Sequence, residues 1–261
     1  MPMITTRVSA LLLAEFLAAC SAMPSATSET PPLDGTAWIL SALPGRTLAD
    51  GQAVTLRFEG GRAQGSDGCN RYSAPYAITG RSLEVSGGSG ASTMMACPPE
   101  TMQQATDYMA ALNSAKAWRV DAGQLKLLAA DGRALATLAA QPTSLVGSEW
   151  RVNAVNNGRQ AVVSIISGTT LTMTLAGDGQ ASGSAGCNRY HARYETEAAY
   201  LRFRSPAATR MMCSHKGVME QERAFLKALE TVTTARHEGD RLELRTTDGA
   251  LAVTLVLVGR E

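Results

Sequence analysis

One unit is written twice in this chain of 261 residues, and that duplication constrains its fold more than any other feature. Leu33-x-Gly35-x-x-Trp38 returns as Leu145-x-Gly147-x-x-Trp150, an offset of 112. Ser66-Asp67-Gly68-Cys69-Asn70-Arg71-Tyr72 returns as Ser184-Ala185-Gly186-Cys187-Asn188-Arg189-Tyr190, now offset by 118. Tyr76 maps onto Tyr194, and Thr93-Met94-Met95-Ala96-Cys97 answers to Thr209-Arg210-Met211-Met212-Cys213. Tyr108 and Leu112 match Phe225 and Leu229. Offsets that drift so little mean a tandem duplication with small loop insertions. Each copy has the length of an ordinary small domain. The first domain is read as 33–141 and the second as 144–260, parted by the polar break around Gln141-Pro142-Thr143. So short a linker predicts domains that touch or at least restrict each other.

Within each copy, Val54–Phe58 and Leu171–Leu175 alternate with period two and read as strands. Glu100–Leu112 and Val218–Leu229 carry apolar residues at helical spacing, which predicts one helix packed on a sheet. Each copy ends in a hairpin, from Gln124–Leu128 through Asp131-Gly132 and from Arg241–Arg245 through Asp248-Gly249. The fold class is therefore α+β: two small domains, each a curved, mainly antiparallel sheet with one helix.

Before the repeats, residues 1–19 read as a lipoprotein signal peptide. Arg7 supplies the basic end, Val8–Leu17 the apolar stretch, and Leu17-Ala18-Ala19-Cys20 has the form of a lipobox. The apolar run is too short to span a bilayer. Acylation of Cys20 would anchor the chain, and the Ser-, Thr- and Pro-rich residues 20–32 form a flexible tether. The expected location is the cell envelope, on the periplasmic face of an outer membrane, with the membrane as a partner through Cys20.

The strings Gly-Cys-Asn-Arg-Tyr and Thr-x-Met-x-Cys, present in both copies, resemble the signatures of the META domain, also called the HslJ-like or DUF306 family. The resemblance implies small antiparallel sheets curved toward a barrel, exported or lipid-anchored proteins, and a link to heat or antibiotic stress. A likeness of that family to a secretion pilot protein implies chaperoning or lipid binding. It supplies no catalytic residues.

Four cysteines are left once Cys20 is set aside, two per copy. In an oxidising compartment, Cys69–Cys97 and Cys187–Cys213 are the natural disulfides. Free buried thiols and a metal site are the competing readings, and the second copy's Cys213-x-His215 is the nearest thing to a ligand pair. Asn70, Arg71 and Tyr72, with Asn188, Arg189 and Tyr190, are candidate binding residues, because Arg can fork onto a carboxylate or phosphate. The plainer reading has the asparagines closing a tight turn and the tyrosines packing on the core. Met94-Met95 and Met211-Met212 are expected to fill irregular core space rather than to bind copper.

With 24 Lys and Arg against 23 Asp and Glu, the net charge of +1 argues against nucleic-acid binding. Aromatic residues at 5 % offer little stacking surface. All three histidines, His191, His215 and His237, lie in the second copy, so a histidine mechanism cannot belong to the shared unit. No nucleophile elbow, phosphate loop or metalloprotease motif occurs. No cofactor or metal is expected, and the chain reads as a non-catalytic protein that binds a partner or carries a lipid or small apolar ligand in a sheet concavity. An enzyme centred on His191 and His215 is the rival reading.

Overall fold

The computed structural model describes residues 33–260 except 87, 89 and 160, with the side chains of 259 and 260 also undescribed. The expected signal peptide, Cys20 and the expected tether lie outside the described residues. Residues 32–261 form one compact unit containing both repeats.

In the first domain, alternating sequences such as Gln124–Leu128 put Leu125 and Leu127 inward and Lys126 outward. That alternation recurs around a closed barrel of eight antiparallel strands. They run β1 (Ala37–Ala42), β2 (Thr55–Glu59), β3 (Arg62–Ser66), β4 (Arg71–Thr79), β5 (Ser82–Val85), β7 (Ala117–Asp121), β8 (Gln124–Leu128) and β9 (Ala134–Ala140). Pairings of β1 with β9 and of β3 with β4 close the circle. A two-residue strand, β6 (Ala91–Ser92), pairs with the start of β4 on the edge that β5 uses farther along. The seam between β5 and β7 is one residue pair deep, Ser82 with Ala117. Helix α1 (Pro99–Ser114) packs on β5 and β9, turning Tyr108, Ala111 and Leu112 into the core. Pro99 opens the helix where a missing amide donor costs least.

The second domain repeats the plan with β10 (Ser148–Asn156), β12 (Thr172–Leu175), β13 (Gln180–Ser184), β14 (Arg189–Glu197), β15 (Tyr200–Ala208), β16 (Thr234–Glu238), β17 (Arg241–Arg245) and β18 (Leu251–Arg260). Pairing of β10 with β18 closes this barrel. Its helix α2 (Val218–Thr231) buries Phe225, Ala228 and Leu229. The longer β15 does the work of β5 and β6 together, since it reaches Tyr190 and His191 of β14 at its far end. One strand is new. β11 (Val162–Ser164) pairs with the end of β10 and has no counterpart in the first domain. It sits in the insertion that moves the repeat offset from 112 to 118.

Each barrel interior is filled by one apolar cluster, built around Trp118, Tyr108 and Phe58 in the first domain and Trp150, Phe225 and Met173 in the second. The inward faces thus serve as core.

Candidate functional site

The two signature segments of each copy are parts of one construction. In the first domain Cys69 is bonded to Cys97 and in the second Cys187 to Cys213. Beside the first bond, Asn70 Oδ1 accepts from the Met95 amide at 2.7 Å and from the Thr93 hydroxyl at 3.2 Å. Asn188 does the same for Met211 and Thr209, at 2.8 and 2.7 Å. Disulfide and asparagine together fix an extended segment that has few ladder bonds of its own. The asparagines therefore hold a neighbouring segment, where the sequence led us to expect that they close their own turn.

The methionines on that segment correct an expectation. Met94 is 98 % exposed and Met212 88 %, with Met95 and Met211 also in solvent. They fill no core. Because Asn70 and Asn188 draw the backbone polar groups inward, the side chains have only the outward direction left.

A carboxylate supports the motif turn in each copy, from a different place. In the first domain Asp67 Oδ1 accepts from the Cys69 and Asn70 amides. The second domain has Ala185 there, and Glu222 of α2 supplies the acceptors instead. Glu222 Oε2 takes the Asn188 amide and Oε1 the Asn188 side-chain amide, both at 2.9 Å. The first domain's counterpart of Glu222 is Ala105, so the carboxylate has moved from turn to helix.

Tyr72 is buried and donates to the Thr55 carbonyl at 2.8 Å, which leaves Tyr108 to donate to Tyr72 across 2.7 Å. Burial, and then the neighbouring Tyr108, pushes the Tyr72 hydroxyl far above the ordinary tyrosine range. Burial does the same to Tyr108 and Tyr190. Tyr190 donates to the Thr172 carbonyl, and its ring meets Phe225 edge-on.

The motif arginines have separate fates. Arg71 reaches the carboxylate of Glu238, at the tip of the second domain's β16–β17 hairpin, at 2.5 Å. Glu238 is buried there and also accepts from the Thr55 hydroxyl at 2.9 Å. Gln141 completes the contact, donating to the His237 carbonyl and accepting from the Gly239 amide. Gly239 fits because a Cβ there would lie 2.9 Å from Ala53 and Thr55 side-chain atoms. The domains touch as the short linker predicted, with Arg71 spent on the contact. Arg189, its counterpart, is exposed and makes no ion pair among the described residues.

The three histidines do not converge on a common bond. His191 and His215 are exposed on β14 and before α2, while buried His237 meets Trp150 edge-on and its Nε2 lies 2.8 Å from the Gly239 carbonyl. Among the described residues, no three His, Cys, Asp or Glu side chains cluster as metal ligands. No helix among them is long and apolar enough to cross a membrane.

A broad concavity lies outside the barrel, on the second domain. A groove of about 1430 Å³ runs between α2, the ends of β10 and β18, and the added β11. Val155, Val163, Ile165, Ala224, Ala228 and Ala252 contribute apolar walls, while Arg159, Arg223, Lys227, Glu220 and Asp248 bring charge to the lining. Gln221 holds the inserted loop against the helix, accepting from the Ile166 amide at 2.7 Å. Gln104 holds Ala49 the same way in the first domain, but without a β11 beside it. The drift in repeat offset was the sequence signal for this groove.

The META domain family model matches residues 31–142 and again 143–257. An NMR structure of a protein from Burkholderia xenovorans is 27 % identical over 47 % of this chain and 93 % of its own, with a TM-score of 0.38. A crystal structure of a DUF4847 family protein from Bacteroides vulgatus is 14 % identical over 45 % of this chain and 96 % of its own, with a TM-score of 0.31. No curated protein matches the chain.

Proposed function

The chain belongs to the META-domain family, which it contains twice in tandem, and from that premise we propose that it is a non-catalytic binding protein of the cell envelope. In this reading an acylated Cys20 holds it to the membrane, and the groove of the second domain takes an elongated amphiphile of the fatty-acid or single-chain lipid class. The groove carries the proposal. Its volume of about 1430 Å³ exceeds the roughly 300–1,000 Å³ of ordinary small-molecule pockets. Its walls are largely aliphatic, and its rim offers an anionic head group Arg159, beside Arg223 and Lys227, which are paired with Glu220 and Glu230. The walls depend on β11, which the first domain lacks, so the second copy is the specialised one and the first its partner in the contact through Glu238. The stress tolerance implied by the family resemblance would follow from sequestering such amphiphiles in a damaged envelope.

Titration of delipidated protein with a fluorescent fatty acid tests this. Binding should be saturable, and Ala224→Trp, which fills the groove from the helix side, should weaken it at least about tenfold in line with the loss of a preformed apolar site. Unchanged binding in the filled variant would remove the groove as the site.

A further inference from the structure

We propose that residues 209–217 of the second domain form a docking surface for an anionic lipid bilayer. This goes beyond the groove reading and stands without it. The segment runs Thr-Arg-Met-Met-Cys-Ser-His-Lys-Gly, with Arg210, Met211, Met212, His215 and Lys216 all exposed. It carries no acidic residue, and the next one along the chain, Glu220, is bonded to Arg223. Arg210 and Lys216 make no ion pair among the described residues, nor does Arg189, whose carbonyl accepts from the Thr209 amide.

Exposed cations beside exposed methionines match the two layers of a membrane interface, anionic head groups above the start of the acyl chains. The segment is also set in place beforehand. The Cys187–Cys213 bond ties it at one point, and Asn188 ties it at Thr209 and Met211. Ordering has therefore been done at folding, and insertion of Met211 and Met212 loses little further entropy. The first domain supplies an internal comparison. Its segment presents Met94 and Met95 on the same clamp, but between Thr93 and Pro99 it has no cation. Charge complementarity thus assigns the surface to the second domain. One end of this segment, Gly217, also borders the groove, which places the groove's mouth beside the docked lipid.

The test uses the chain from Ser21 onward, which lacks the acylation site and keeps the whole compact unit of both cores. Co-sedimentation is measured with phosphatidylcholine vesicles, with and without phosphatidylglycerol. Binding is expected only with phosphatidylglycerol and should fall with added salt. Each basic residue near such a surface is worth about fivefold in partitioning, so Arg210→Gln with Lys216→Gln should lose about thirtyfold. Met211→Ser with Met212→Ser should weaken binding while keeping its salt dependence. Met94→Ser with Met95→Ser should leave it unchanged. Equal binding to both vesicles, or an unaffected Arg210/Lys216 variant, would overturn the proposal. Binding to neither would overturn it as well, and the same charges would then point to an acidic protein surface. Because Ala224→Trp leaves 209–217 intact, failure of the groove reading and failure of this one are separately visible.

Discussion

Removing the Glu222 carboxylate strands two donors on Asn188, a residue only 1 % exposed. Both bonds are buried, and a buried donor left without an acceptor costs about 1–3 kcal/mol. Two offsets apply in Glu222→Ala: relief of the carboxylate's own burial, and a few tenths of a kcal/mol from the better helix former. The Asn188 side-chain amide also keeps its longer bond to the Met211 carbonyl, at 3.2 Å. The net loss should be about 2–3 kcal/mol, which shifts a urea midpoint by about 1 M at ordinary slopes. Hydrogen exchange resolves the domains and should place the loss in the second, around Asn188 and Met211. Glu222→Gln keeps one acceptor oxygen and should lose about half as much. The first domain already contains the remedy, so adding Ala185→Asp to Glu222→Ala should recover more than half of the loss. A double variant no more stable than the single one would refute the equivalence of the two carboxylates.

Two further outcomes follow from the same geometry. Above a pH of about 10 the unfolded chain releases tyrosine protons that buried Tyr72 and Tyr108 retain, so their contribution is present below that pH and is lost as pH rises toward their elevated folded values. Tyr108→Phe should reduce the steepness of alkaline unfolding of the first domain, read by circular dichroism; an unchanged pH profile would count against the buried pair. Gly65 and Gly183 are held by close approach: a Cβ at either would stand 2.1 Å from the carbonyl oxygen of Thr55 or Thr172. Alanine at either site should cost more than about 3 kcal/mol, since backbone offers no easy retreat. A fully stable Gly65→Ala protein in urea titration would show that the strands part more readily than this packing implies.

The sequence made the duplication, the helix in each copy and the cysteine spacing readable, because each leaves a local or periodic trace. Leu125 and Leu127 announce their inward face by alternation, and Tyr108 and Leu112 theirs by helical spacing. Barrel closure leaves no such trace, since the pairing of β1 with β9 joins residues about a hundred positions apart. The exposure of Met94 and Met212 was hidden for another reason. Residue type reports a preference for burial, whereas here backbone bonds to Asn70 and Asn188 decide the direction. Glu238 reads as an ordinary hairpin acid, as Asp121 does in the first copy, and only docking on Arg71 distinguishes them. The move of a carboxylate from Asp67 to Glu222 was visible as two substitutions, but their linkage depends on a helix packing over the turn. The insertion behind the groove appeared as a drifting offset, which gives the length of a loop and not its shape.

The contact through Glu238 joins unlike faces: the hairpin of one domain meets the strand surface of the other. Such a heterologous contact, repeated between molecules, would build a ring where the rotation closes and an open helical fibre where it does not. Each chain ends with one unused copy of both faces, the Asp121 hairpin and the strand surface around Thr172 and Arg189. Three substitutions spoil that second match. Ala122 puts a methyl where a Cβ on Gly239 would lie only 2.9 Å from its neighbours, Thr170 thickens the place of Ala53, and Val258 replaces the twice-bonded Gln141. The contact is thus better matched inside the chain than between the second copies of its two faces, and duplication has left the two repeats complementary rather than interchangeable.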